Sequence, residues 1–441
     1  MARKTDWDTA RLIAADKKHV WHPFTPMGEW CAPDHEPLVL AEGGGALLWD
    51  SEGREYIDGN SSIWTNIHGH NHPRINAAIS RQLERVAHTS FLGFTNPAAI
   101  ELAESLVGLF PRDTLTRVFY SDDGSTGIEA ALRISDQFWK LSGSNRCEFV
   151  SFRGGYHGDT AGAASLGAGL MFGGLRKFDM PIRQVERMED LEALLPEITE
   201  RIQALIIEPL IQGAAGMRLW PAGTLKRVRE WCDNTRALLI VDEVMTGFGR
   251  TGTMFACDQE GVIPDMMILG KALTGGYLPL AATLLTDKVF APFRAGFSSE
   301  ETLYYGHSYT GNALGCAAAL ASLEVFADEN VLDSLQSKIE RLAEELRVFK
   351  GVPAVSDVRQ CGFIAAIELD PSSAPHRGGI GAAVCRAARK HGLLTRPIRN
   401  VIVLMPPFCI TERQLSQAVS AVRSAIIEVC ETGSRTAAVA T

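Results

Sequence analysis

The sequence contains no CxxC pair, no cluster of cysteine and histidine at metal-ligand spacing, no internal repeat and no low-complexity linker. Its nine cysteines fall singly between Cys31 and Cys430. That scatter argues against both a zinc site and a disulfide framework and points to reduced thiols. Clusters of one charge sign are missing too, because 43 lysines and arginines are interspersed with 52 acidic residues for a formal net charge of −9. A nucleic-acid surface needs clustered cations to neutralise phosphates, so no polyanion partner is expected. No uncharged apolar stretch of about 18 residues occurs, and no membrane span is expected. The opening MARKTDWDTARLIAADKKHVW has no apolar h-region, so the expectation is a cytoplasmic protein. Glu431 to Thr441 is small and polar without periodicity and reads as a frayed tail.

What is present suits a large globular enzyme. The chain has 441 residues, 46% hydrophobic and 22% charged, enough for two or three packed units. Residues 1–60 mix short strand-like runs (Pro37 to Leu40, Ala46 to Trp49) with turns, the layout of an irregular arm or of part of a smaller domain. From 61 to 326, the apolar runs RVFYS, CEFVSF, ALIIEPL, ALLIVDEV, MMILGKAL and LAATLLT alternate with helical stretches such as Gly127 to Leu141 and Ala222 to Asn234. This alternation predicts an α/β domain with a mostly parallel sheet. Residues 327–441 combine the helix-like LDSLQSKIERLAEELRVFK with strand-like FIAAIEL and VIVLMPP, predicting a smaller α+β domain.

Two strand ends carry the chemistry. ALLIV ends in Asp242-Glu243, and MMILG ends in Lys271. Ligands of open α/β sheets bind beyond the carboxyl ends of the strands, so an acid and an amine can meet in one crevice. Lysine forms Schiff bases with aldehydes, and a pyridoxal cofactor also needs a carboxylate on its ring nitrogen. Taken alone, a strand-end lysine such as Lys271 is more commonly a solvated loop residue and an aspartate such as Asp242 a helix cap. A phosphate site shifts the balance: Ser121 to Gly127, SDDGSTG, follows the strand RVFY and opens a helix, whose N-terminal N–H groups bind phosphate. Read alone, that segment is also an ordinary cap. Tyr156, in YHGD after CEFVSF, offers a ring to stack on a pyridine. Glu208 ends ALIIEPL at the same rim, and Arg250 lies between Asp242 and Lys271 in sequence; each of these two also fits a surface ion pair.

Together, DDGSTGIEAAL, YHGD, IIEPLIQGAAG, LLIVDEVMTGFGRTG, LGKALTGGYLP and HSYTGNALGCAAAL resemble the class III (ω) aminotransferases of pyridoxal-5′-phosphate (PLP) fold type I, over nearly the whole chain. The resemblance implies PLP as cofactor, Lys271 as the Schiff-base lysine and Asp242 on the ring nitrogen. It likewise implies Gly124 and Ser125 on the phosphate, Tyr156 and Glu208 about the ring, and a homodimer in which Ser308 reaches the partner's phosphate.

HVWHPFTPM, SSIWTNIHGHNHP and RPIRNVIVLMPPF are similar to the branch of that family that works in biotin synthesis. By that likeness the acceptor is 8-amino-7-oxononanoate, Arg396 holds its carboxylate with Arg399 as the nearby alternative, and Phe24, Trp64 and Gly306 line the pocket. Two positions depart from the branch pattern. Phe24 stands in place of a tyrosine, which removes a hydrogen-bond donor, and Ile63 replaces the first of two tryptophans, which removes a stacking face. The amino donor therefore stays open between S-adenosylmethionine, usual in the branch, and lysine. Two other readings are an ω-aminotransferase acting on γ-aminobutyrate, ornithine or a diamine, and a non-catalytic PLP-binding regulator.

Overall fold

Six of the apolar runs become strands of one seven-stranded sheet. The computed structural model describes residues 6–167, 180–294, 300–352, 354–373 and 379–439, the last nine by backbone alone. Across the sheet the strands stand in the order Leu115–Ser121, Ala281–Thr286, Met266–Leu269, Leu238–Asp242, Ile202–Ile207, Glu148–Phe152, Ile182–Val185. Of these, Ala281–Thr286 alone runs against the others. The seventh strand, Ile182–Val185, carries Arg183 and Gln184 in its middle. Those polar residues break the apolar run, which is why periodicity does not reveal this edge strand.

The central strands are mostly apolar and buried along their length because helices cover both faces. In Leu238–Asp242 every residue is buried. Leu239 and Val241 pack with Leu205, Ile207, Leu225 and Val228 on one face. Leu238 and Ile240 pack with Ala204, Ile206, Ile128 and Phe138 on the other. This period-2 split is the strand's own geometry. The helix Gly124–Leu141 starts at a capping box, with Asp123 accepting the Thr126 N–H while Thr126 Oγ1 accepts the Asp123 N–H.

A second, antiparallel sheet holds Val355–Cys361, Ile364–Leu369, Val401–Leu404 and Pro397–Ile398. The helices Ile380–Lys390 and Glu412–Val439 belong to the same part of the chain and pack on each other. The early strands Leu40–Gly44, Leu47–Asp50 and Glu55–Asp58 form a third sheet with Leu393–Leu394. An early and a late part of the chain therefore share one sheet, and the turn after Asp58 is carried back to the mouth of the large one. The stretch expected to fray continues the last helix to Val439; it holds no proline, and each added residue extends a helix that is already nucleated. Among the described residues no helix is long and apolar enough to cross a membrane.

Candidate active site

The carboxyl ends of Ile202–Ile207, Leu238–Asp242 and Met266–Leu269 open onto one cavity of about 460 Å³. Trp64, Gly124, Ser125, Tyr156, Glu208, Asp242 and Lys271 all line it. Glu208, Asp242 and Lys271, spread over 63 positions of the chain, meet there because parallel strands deliver their ends to the same edge. Lys271 is a half-buried wall residue rather than a solvated loop lysine, and its backbone is left-handed, with φ 43°.

Asp242 is buried, and its two oxygens are separately held. Oδ1 accepts the Val244 N–H at 3.1 Å, and Oδ2 faces His157 Nδ1 at 2.8 Å. Because an ionised carboxylate only accepts, Nδ1 carries the proton. Burial alone would push the His157 imidazole down, but the hydrogen bond and charge of Asp242, with Glu208 behind, hold it above its ordinary value. Burial lowers the Lys271 ammonium, against Asp242 and Glu208, which favour the charged form. The net effect enlarges the share of free amine.

Glu208 is not a surface ion-pair residue: it is buried and accepts the N–H groups of Tyr156 and Gly213, each at 3.0 Å. Burial pushes its carboxyl up to about 7 from 4.5. Such a group binds its proton more tightly folded than unfolded, so its contribution to stability is full below about 4.5 and fades as pH rises through about 7. Glu208→Gln is therefore expected to flatten the fall in melting temperature of the cofactor-free protein between these pH values. Glu243, also pushed to about 7 by burial, keeps its own part of that slope. Superimposable wild-type and variant melting profiles across the window would contradict the assignment. Arg250 is not at the surface either: it is 0% exposed, donates from Nη1 to Pro406 O at 2.7 Å and lies 4.7 Å over the Phe408 ring.

The helix start at Gly124 lines the cavity as a cup whose backbone N–H groups suit an anion. A side chain at Gly124 would meet Val244 at 2.9 Å, and one at Gly158, where φ is 121°, would meet Ser125 Oγ at 2.2 Å. Both glycines let backbone approach the cup. Ser125 Oγ accepts the Asp159 N–H at 3.2 Å, and Tyr156 donates its hydroxyl to Asp159 Oδ2 at 2.7 Å. The tyrosine ring is thereby tethered at the cavity wall.

On the opposite side, Trp64 presents its ring 4.7 Å from Lys271 Nζ. It arrives there on a left-handed turn: Ser61, Ser62, Ile63 and Trp64 have φ of 44°, 49°, 66° and 69°. Four such residues without glycine cost about 4–8 kcal/mol in sum, so the surrounding structure must impose the turn.

The class III aminotransferase family model matches residues 31–426. The chain belongs to the class III aminotransferases. The adenosylmethionine-8-amino-7-oxononanoate aminotransferase of Nitratidesulfovibrio vulgaris is 45% identical, over 96% of this chain and 83% of that protein. The crystal structure of the enzyme of that name from Methanocaldococcus jannaschii superposes with a TM-score of 0.91 at 40% identity, covering 96% of this chain and all of the other. A PLP-bound amine transaminase from an uncultivated Pseudomonas species superposes at 0.86 with 32% identity, over 93% and 99% of the two chains. The fold is thus that of PLP fold type I, as the motifs implied.

The aminotransferase's own residues fit PLP, the family's cofactor. They supply a helix N-terminus cleared by two glycines for a phosphate, a buried carboxylate for a ring nitrogen, and a desolvated lysine for the aldehyde. Phe24, Gly306, Ser308 and Arg396 do not line the cavity of a single chain. Gly306 and Ser308 are exposed, and Arg396 lies 5.7 Å over the Phe24 ring. Sequence reasoning gave no role to His157, whose only signal was adjacency to Tyr156. It also passed over Gly276 to Leu280, which line the cavity just after Lys271 in the same GKALTGGYLP run.

Proposed function

We propose that this aminotransferase moves an amino group onto 8-amino-7-oxononanoate to make 7,8-diaminononanoate in biotin synthesis, with S-adenosylmethionine as donor. The reading rests above all on the full-length likeness to enzymes bearing that activity in their names. Bound in the cavity, PLP supplies an aldehyde and an electron-withdrawing ring, so that an amino group can leave one carbon skeleton and enter another. The protein's part is to hold and move protons. Lys271, poor in charge because it is desolvated, would take the proton from the donor's α-carbon on Nζ and deliver it to the carbon on the far side of the amino nitrogen, two atoms away. Asp242 would hold the ring nitrogen of bound PLP and its proton, and the His157 N–H keeps the Asp242 carboxylate in place. Gly124 and Ser125 hold the phosphate through the helix N-terminus, while Tyr156 and Trp64 wall the pocket.

In this reading the enzyme is a cytoplasmic homodimer. Ser308 and Gly306 of one protomer complete the phosphate and substrate ends of the other's cavity, which accounts for their exposure in a single chain. Arg396, beside Phe24, takes the acceptor carboxylate. Donor and acceptor use one cavity in turn, so the kinetics are ping-pong. The test is to supply holoenzyme with 8-amino-7-oxononanoate and either S-adenosylmethionine or lysine and to quantify diaminononanoate. Product with the first donor is expected. Product with lysine alone changes the donor assignment, in keeping with Phe24 and Ile63, and product with neither overturns the reading.

A further inference from the structure

The left-handed turn that carries Trp64 is gripped by one carboxylate. Asp58 is 3% exposed. Its Oδ1 accepts the Asn60 N–H at 3.2 Å and the Ser62 N–H at 3.1 Å. Its Oδ2 accepts the Ser62 hydroxyl at 3.0 Å and lies 2.9 Å from His70 Nε2. The other ring nitrogen of His70, Nδ1, lies 2.8 Å from Asn66 Nδ2, which can only donate. His70 Nε2 therefore carries the proton and donates it to Asp58. Asn66 closes the segment from its far end, its N–H donating to Ser61 O at 3.0 Å.

One further bond fixes the indole itself and another anchors the start of the turn. Trp64 Nε1 donates to Asn60 Oδ1 at 2.7 Å, and the Ser61 hydroxyl donates to Met405 O at 2.7 Å. Gly276, on the loop that follows Lys271, packs so closely that a Cβ there would stand 2.9 Å from Asn66 Cα. The turn is thus pressed between a buried acid and the lysine loop, and its left-handed backbone sends the Trp64 ring into the cavity. In this segment, free of glycine, nothing local favours that conformation. The bonds to Asp58 supply what the residue types do not.

We propose that Asp58, supported by His70, is a positioning residue for the substrate pocket, latching the Ser61 to Trp64 turn so that the Trp64 ring forms the wall beside the Lys271 amine. Asp58 touches neither the cavity nor the reacting atoms; it acts through Trp64. Without the latch the turn relaxes to right-handed or extended backbone, and the indole leaves the cavity. An incoming amine then loses an aromatic face, whose contact corresponds to about tenfold in binding. The proton transfers at Lys271 Nζ are left in place. This inference rests on the proposed site, but not on the identity of the acceptor.

The experiment is a double-mutant cycle on holoenzyme with whichever amine the wild type turns over. Asp58→Ala is expected to raise KM about tenfold with kcat within about threefold, and Asp58→Asn, which keeps an acceptor for the Ser62 N–H, to recover most of the loss. In a Trp64→Ala background Asp58→Ala is expected to add nothing further to KM, since the wall is already gone. A folded Asp58→Ala enzyme with wild-type KM overturns the proposal, as do effects that simply add in the double variant. If Asp58→Ala gives no cooperative melt, Ser62→Ala takes its place in the cycle, with a smaller rise in KM that likewise vanishes beside Trp64→Ala; no rise overturns the latch. Failure of the biotin reading shows separately, as a wild type inactive on 8-amino-7-oxononanoate.

Discussion

Lys271→Ala is expected to lower turnover by about 10⁴-fold, the upper end of what a positioned acid-base group contributes, and to abolish the visible absorbance of a lysine-bound cofactor. Phosphate binding should survive, because the helix start at Gly124 and the capping box of Asp123 and Thr126 do not depend on Lys271. The fold should survive as well. The lysine amine is desolvated and its ammonium form is disfavoured, so its removal relieves a burial penalty. Any new side chain would meet the same left-handed backbone, at φ 43°, that lysine already tolerates. Cofactor titration by fluorescence and single-turnover kinetics with an amine separate these effects. A variant that keeps both the absorbance and more than about a tenth of wild-type turnover removes Lys271 from the chemistry.

Asp242→Asn is expected to slow the first half-reaction by about 10²–10³-fold, the scale for deleting one preorganised electrostatic group. The amide retains an oxygen for the Val244 N–H but offers no negative charge to a ring nitrogen. On the other side, His157 can present a bare Nδ1 to the new amide N–H by moving its proton to Nε2, so packing changes little. The melting temperature should accordingly move by no more than a few degrees while the rate collapses. His157 loses the partner that raises its basicity, so its titration, followed by NMR, should shift downward in the variant. A half-reaction rate within about fivefold of wild type would refute the role assigned to Asp242.

Much of this was legible without coordinates. The strands Ile202–Ile207, Leu238–Asp242 and Met266–Leu269 carry the apolar runs ALII, LLIV and MMIL because both of their faces are buried, and such runs announce themselves. The acid and the lysine stand at the ends of those runs. The cap of the helix at Gly124 is a four-residue pattern with its own chemistry. Arg183 and Gln184 hid an edge strand for the converse reason: an edge needs less apolar surface. Arg250 and Glu208 also fit surface ion pairs in sequence because the charge on a residue type says nothing of what will cover it.

The sequence by itself determined six of the seven strands of the large sheet, the capped helix start at Gly124 and the placing of Asp242 and Lys271 at strand ends, since each is set by neighbours within a few residues. Only the tertiary structure decided who meets whom. His157 reaches Asp242 across 85 residues, and Asp58 bends a segment without glycine into a left-handed turn that brings Trp64 against Lys271. These contacts leave no local pattern because they arise where separately folded elements press together. There the burial of a carboxylate or a strained φ is stabilised by packing that no short stretch of the chain contains.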